Sequence, residues 1–162
     1  MYKVAIIEKI HKDGLDLLKR HSNFDYELIE DVSEKNLIEK LPAFDACTLR
    51  VSKLDETILK HCQKLKAISR HGVGYDNVDL NYIKKNKISL LVTATANAVA
   101  VAEHVISMFL ALSKSLEIYD KEVREGKFKT NATKIKTIEM LNKNILIAGF
   151  GRIGKKLISR CL

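Results

Sequence analysis

The sequence predicts an α/β protein whose first part is built on a parallel sheet. Three observations carry this. Short apolar, β-branched runs alternate with helix-period segments from Met1 to Val92. The connections between them are short, and the strands read as continuously apolar, as in sheets covered on both faces. After Val92 the pattern changes to one long helical periodicity and then a glycine-rich turn.

In order, Lys3–Ile7 predicts a strand ended by charge, and Lys12–His21 a helix with Leu15, Leu17 and Leu18 among polar residues. Tyr26–Ile29 predicts the next strand. Ser33 is placed to cap a helix running to Leu41. Phe44–Leu49 predicts a strand, Asp55–His61 a short helix, and Leu65–Ser69 a strand. Asp79 caps the helix Leu80–Lys85, and Ile88–Val92 closes the series. A flavodoxin-like arrangement is the natural expectation, although strand order is not visible in sequence. Asn97 then caps a single helix from Ala98 to about Arg124, roughly 40 Å long at ~1.5 Å per residue. Its apolar side (Val101, Val105, Met108, Phe109, Leu112 and Leu116) reads as a seam between two bodies. Glu125–Asn142 is a polar connection, Asn144–Ala148 a strand, Gly149–Gly151 a tight turn, and Arg152 starts a final helix. The domain reading is 1–93 for the first lobe and 94–162 for the second.

Composition excludes several classes. At 46% hydrophobic and 30% charged, the chain is globular rather than disordered. The net charge of +8 is spread along the chain without a basic block or zinc-finger spacing, so the lysines read as solvated surface and not as a nucleic-acid footprint. Cys47, Cys62 and Cys161 form neither a disulfide framework nor a metal site, and a reducing cytoplasm is the expected compartment. The N-terminus reads as a strand and not as a signal peptide. Glu103 and His104 interrupt the apolar stretch Ala94–Leu112, which argues for a buried helix and against a membrane span.

The clearest motif is GFGRIG, Gly149–Gly154, which follows an apolar run and opens a helix. Gly149 permits the turn, Gly151 lets a pyrophosphate approach the backbone, and Gly154 permits close helix packing. The free N–H groups of Arg152 and Ile153 would then face phosphate at the positive end of the helix. A purely structural βα turn uses the same residues. The acidic residue that reads a ribose would lie about 20 residues further on, past Leu162.

A second loop, SRHGVGYDNVD from Ser69 to Asp79, also follows a strand. Gly72 and Gly74 flank Val73, so the backbone can fold into a nest of N–H groups that suits a carboxylate. A plain strand–helix turn capped by Asp79 is the competing reading. Arg50 ends a strand earlier in the chain. In a parallel sheet it would emerge at the same carboxyl edge, where it serves either as a surface cation or as the partner of a small carboxylate.

Three blocks in this order resemble the D-isomer-specific 2-hydroxyacid dehydrogenase family. They are Arg50–Ser52 (RVS), Arg70–Asp79 (RHGVGYDNVD) and Asn97–His104 (NAVAVAEH), with the GFGRIG turn as a fourth element. The resemblance covers essentially the whole chain. It implies a flavodoxin-like substrate lobe over 1–93, followed by the truncated start of a Rossmann NAD-binding lobe. It implies hydride transfer between NAD (NADP not excluded) and a small 2-oxo or 2-hydroxy acid. Arg50, Ser52, Val73, Gly74 and Asn97 would then line the substrate site. Val101 would pack on the nicotinamide, and Gly149, Gly151, Arg152, Ile153 and Gly154 would hold the pyrophosphate.

The departures are specific. The family's catalytic arginine, glutamate and histidine lie past the glycine turn. The resemblance therefore implies no catalytic residue within this chain and no activity of the chain alone. Thr93–Ala96 stands where a proline is frequent, and Ala100 where a serine is common. The resemblance implies a homodimer as the usual state of full-length members; the oligomeric state of this chain is left open. Segment 126–162 is expected to be poorly held, because its strand lacks sheet partners. The alternative reading is a non-enzymatic carboxylate-binding flavodoxin-like module, or a gene remnant.

Overall fold

The computed structural model describes residues 1–131 and 134–162. The chain divides into two compact units, Met1–Ala94 and Thr95–Leu162.

The first unit is a five-stranded parallel sheet. Its strands are β1 (Tyr2–Ile7), β2 (Phe24–Ile29), β3 (Ala46–Leu49), β4 (Ala67–Arg70) and β5 (Ser89–Val92). They lie in the order β2-β1-β3-β4-β5, which is the flavodoxin-like order. The connecting helices are α1 (Lys12–Lys19), α2 (Glu34–Lys40), α3 (Glu56–Leu59) and α4 (Leu80–Lys85), with a single 3-10 turn at Leu41–Ala43. Each helix starts where a side chain satisfies an otherwise orphaned N–H. His11 accepts from Asp13, Ser33 from Asn36, Asp55 from Thr57, and Asp79 from Tyr82.

Successive strand residues face opposite sides of the sheet. One side carries Ala5, Ile7, Cys47, Leu49 and Ile68, which pack with Leu37, Ile58, Leu59 and Ile83 of α2–α4 into one core. Burying side chains such as Leu49 or Ile68 completely contributes about 1.5–3 kcal/mol each. On the other side Val4 and Ile6 are buried, whereas Leu91 is 54% exposed. The β5 end of that face is therefore less covered.

The second unit holds α5 (Ala98–Ser113), α6 (Leu116–Arg124), α7 (Phe128–Asn131) and α8 (Arg152–Cys161). Helices α5 and α8 pack on each other. Small residues Ala98, Ala102 and Gly154, with Leu157, are their buried positions, and Arg160 reaches Glu103 at 2.9 Å.

Three expectations are corrected here. The single helix from Ala98 to Arg124 is two helices bent by 60°. Helix α5 ends with a 3-10-type bond from Ser115 N–H to the Leu112 carbonyl, and Ser115 is left-handed at φ +51°. The Ser115 hydroxyl donates to the Lys136 carbonyl (2.9 Å), and Ile138 N–H donates to the Ser113 carbonyl (2.7 Å). The chain returning at 136–138 thus supplies a donor to the Ser113 carbonyl, which a continuous helix would have bonded internally, and an acceptor to the Ser115 hydroxyl. Second, Asn144–Ala148 forms no strand, because no partner strand lies beside it to supply ladder bonds. Third, Asn97 holds the cap position of α5, but its side chain makes no capping bond.

The apolar positions expected to form a seam remain open in part, with Met108, Leu112 and Leu116 at 50%, 76% and 59% exposure. The connection Glu125–Asn142 includes α7; residues 132 and 133 of it lie outside the described residues. Among the described residues no single helix is long and apolar enough to cross a membrane, and only the bent pair α5–α6 meets that length and composition when taken together. Among the described residues no group of three or more His, Cys, Asp or Glu could hold a metal ion.

Candidate functional site

The carboxyl ends of β1, β3 and β4 converge, because the strands are parallel neighbours in register. In open α/β sheets this edge is where loops form binding sites. Two loops meet there. One is Arg50–Lys53, which follows β3. The other is His71–Val78, which follows β4.

The first loop is fixed from two sides. Glu8, directly after β1, places one carboxylate oxygen against three backbone N–H groups. Arg50 and Val51 each donate to it at 2.9 Å, and Ser52 at 3.4 Å. Glu8 is left-handed (φ +68°), an uncommon conformation that costs a non-glycine residue about 1 kcal/mol or more. From the other side, the Asn77 amide donates to the Ser52 carbonyl (2.7 Å) and the Arg50 carbonyl (3.2 Å). Leu54 N–H donates to the Asn77 carbonyl at 2.8 Å, and Asp79 N–H to the Leu54 carbonyl at 3.0 Å. The two loops are therefore stapled together by backbone and side-chain bonds.

The second loop turns at Gly72. A Cβ there would collide with the Arg70 guanidinium, which folds over the glycine and donates to the His71 carbonyl at 2.7 Å. Among the described residues, neither the Val73 nor the Gly74 N–H donates a hydrogen bond. Ser52 Oγ and Arg70 Nε are buried without a protein partner. The site thus offers two free backbone donors, a buried hydroxyl and a buried guanidinium N–H, beside the exposed Arg50, whose Nη1 donates to the Lys9 carbonyl at 3.3 Å. The unbonded backbone donors and the exposed Arg50 guanidinium suit a small anion, with the Glu8 carboxylate already engaged by the Arg50–Ser52 N–H groups and the Asp76 carboxylate close to Gly74.

Arg50, Ser52, Val73 and Gly74 are brought to one edge of the first unit. Asn97, Val101 and the glycine turn lie in the second unit. Asn97 is exposed and Val101 half-buried on α5. Gly149 is left-handed at φ +107°. A Cβ on Gly154 would strike the Gly149 carbonyl, so the helix can approach the turn only because position 154 is glycine. A Cβ on Gly151 would meet nothing, and Gly151 supplies no side-chain cap to α8. The first N–H groups of α8, including those of Arg152 and Ile153, therefore have no intrahelical acceptor and stand at the positive end of the helix. These residues fit a diphosphate group.

Sequence reasoning missed three residues, Glu8, Arg70 and the side-chain role of Asn77. Glu8 acts on residues 42 to 44 positions away, and no local pattern announces that. A left-handed Glu directly after a strand is a conformation, not a motif.

The family model for D-isomer specific 2-hydroxyacid dehydrogenase, catalytic domain, matches residues 4–153. The chain belongs to this family. The D-3-phosphoglycerate dehydrogenase of Archaeoglobus fulgidus is 30% identical over 160 residues, covering 98% of this chain and 30% of that protein. The hydroxypyruvate reductase of Thermotoga maritima is 30% identical over 162 residues, covering 99% of this chain and 52% of that protein. Among solved structures, the NAD-dependent formate dehydrogenase of Staphylococcus aureus in complex with NAD superposes with a TM-score of 0.80 at 24% identity, over 98% of this chain and 52% of that one; this likeness shows the shared fold. The chain spans about a third to a half of the length of these 2-hydroxyacid dehydrogenase relatives.

Proposed function

We propose that this chain supplies the substrate-carboxylate site and the cofactor-diphosphate turn of an oxidoreductase acting on a small 2-oxo or 2-hydroxy acid. The observation that carries this reading is the edge of the first unit, where the free Val73 and Gly74 N–H groups stand in a loop stapled by Asn77 to Arg50–Ser52.

In this reading the substrate carboxylate sits on the Val73 and Gly74 N–H groups. Arg50 adds charge, and the Ser52 hydroxyl adds a donor. These contacts orient the acid and hold its C2 in a fixed place, which is how positioning lowers a barrier. Asn97 stands at the start of α5 for a polar contact to substrate, and Val101 offers an apolar surface to a nicotinamide. Gly149, Gly151, Arg152, Ile153 and Gly154 hold the diphosphate. The dinucleotide, when bound, supplies or accepts the hydride. NAD and NADP both fit this set, since no residue here reads the ribose. His71 stands in the second site loop, and among the described residues it makes no ion pair with a carboxylate, so this reading takes the proton-transfer group and the residue orienting it from outside the set described.

One observation favours a second reading. The first unit has a complete buried core, whereas Asn144–Ala148 pairs with nothing. A carboxylate-binding module working through the first unit alone would show this contrast.

NADH titration of the chain, followed by cofactor fluorescence, separates the two. The dehydrogenase reading expects saturable binding that Gly151→Val abolishes, because a branched side chain would fill the space left for the diphosphate. Carboxylate binding without any NADH binding would favour the module.

A further inference from the structure

We propose that Glu8 is an internal anion that fills the Arg50–Ser52 amide nest. It thereby reserves the Val73–Gly74 loop as the place where an external carboxylate is received. This rests on the carboxylate reading above and deepens it, because it settles which of two adjacent N–H clusters the acid uses.

The geometry is direct. Three consecutive N–H groups, those of Arg50, Val51 and Ser52, converge on one oxygen of Glu8 at 2.9, 2.9 and 3.4 Å. Successive N–H groups converging on one point are what an anion-binding nest offers to a carboxylate or phosphate. Here the chain's own carboxylate already occupies it. The left-handed backbone at Glu8 (φ +68°) is the strain that this grip sustains. An external acid competing for the same donors would have to displace a tethered carboxylate already held at high effective concentration. Among the described residues the Val73 and Gly74 N–H groups are bonded by no carboxylate, although Asp76 lies close to Gly74.

The Glu8 carboxylate, after β1, holds the backbone of the Arg50 loop, after β3, while the Arg50 guanidinium turns to the Lys9 carbonyl, which accepts from Nη1 at 3.3 Å. Removing the Glu8 carboxylate leaves three unpaired N–H donors aimed at one point, which form a second oxyanion site. Glu8 is thus a positioning residue that also sets selectivity. Its loss loosens discrimination by adding a place to bind instead of simply weakening the first.

The test is an amide-resolved NMR titration of the chain with glyoxylate, run on the parent protein, Glu8→Ala and Glu8→Gly. The glycine variant accepts the left-handed backbone without strain, so one variant remains folded even if alanine does not. The parent is expected to show saturable shifts at Val73 and Gly74, with Arg50, Val51 and Ser52 unmoved. Either variant is expected to gain saturable shifts at Arg50, Val51 and Ser52. Formate, titrated in parallel, is expected to produce the same gain, since the nest recognises a carboxylate and not the 2-oxo group. If the parent's Arg50–Ser52 amides move with glyoxylate, or if a folded variant gains no response there, the proposal is overturned. If Val73 and Gly74 stay silent while the variants still gain the nest response, the substrate-site reading fails and the occupancy of the nest by Glu8 stands.

Discussion

The Asn77 staple gives the most quantitative prediction. Its amide makes two bonds of unequal worth. The acceptor at Arg50 lies in an exposed setting at 3.2 Å, where water can replace the donor; the acceptor at Ser52 is part-buried at 2.7 Å. The first is worth almost nothing net. The second, with the cost of leaving a part-buried carbonyl unpaired, is worth about 1–2 kcal/mol. For a cooperative unit of the size of Met1–Ala94, that lowers the melting midpoint of Asn77→Ala by roughly 4–16 °C. Asn77→Asp sharpens the test. Its carboxylate would face two carbonyl oxygens, so the folded state raises its pKa above the ordinary value of about 3.9. A group with a raised folded pKa contributes most below its unfolded pKa and loses that contribution as pH rises through the folded value. Asn77→Asp should therefore match or exceed Asn77→Ala in acid, where the protonated acid can donate, and fall below it at neutral pH. Circular-dichroism melts across pH read this out. An unchanged midpoint for Asn77→Ala, or identical pH behaviour of the two variants, would refute the staple.

Three further outcomes follow from the structure. Burial raises the thiol pKa of Cys47 far above its ordinary value and pushes that of Cys62 to about 11, whereas Cys161 is exposed. A thiol reagent should therefore label Cys161 alone in the native protein and all three only in denaturant, as mass spectrometry can count. Asp45 accepts from Lys3 N–H at 2.9 Å, and this bond, chiefly, holds its carboxyl below the ordinary value. With the folded pKa depressed, that stability is present above the unfolded pKa of about 3.9 and is lost as pH falls through the folded value. Asp45→Asn should therefore flatten the acid limb in that window, and an unchanged acid titration of stability would count against it. Limited proteolysis should cut first within 126–162, where a segment without strand bonds and several exposed apolar side chains offer little resistance. Uniform protection to Leu162 would contradict this.

Local chemistry made much of the first unit legible. Asp79 and the helix Leu80–Lys85 were visible because an acidic cap followed by a helix former is a short-range pattern. Ser33 is of the same kind, whereas Asp55 was read as the first helical residue and proves to be the cap. Strand order was not readable, since parallel neighbours are joined by crossovers and leave no turn signature. The break at Ser115 was hidden because the bonds that accompany it come from the distant segment 136–138, with neither glycine nor proline at the bend. Asn144–Ala148 read as a strand from its apolar run, but a strand is made by its neighbours. At the site, the glycines announced both loops, whereas Glu8 and the Asn77 amide act across the fold and are visible only in three dimensions.

The most direct test of the central reading is the 2-oxo-acid-dependent oxidation of NADH by this chain, combined with a separately expressed C-terminal half of a full-length relative. The account predicts turnover with glyoxylate or hydroxypyruvate only when both pieces are present, and its loss with Gly151→Val. Turnover that is unaffected by Gly151→Val, or none although the two pieces associate, would contradict the assignment of this chain as the substrate and diphosphate half of such an enzyme.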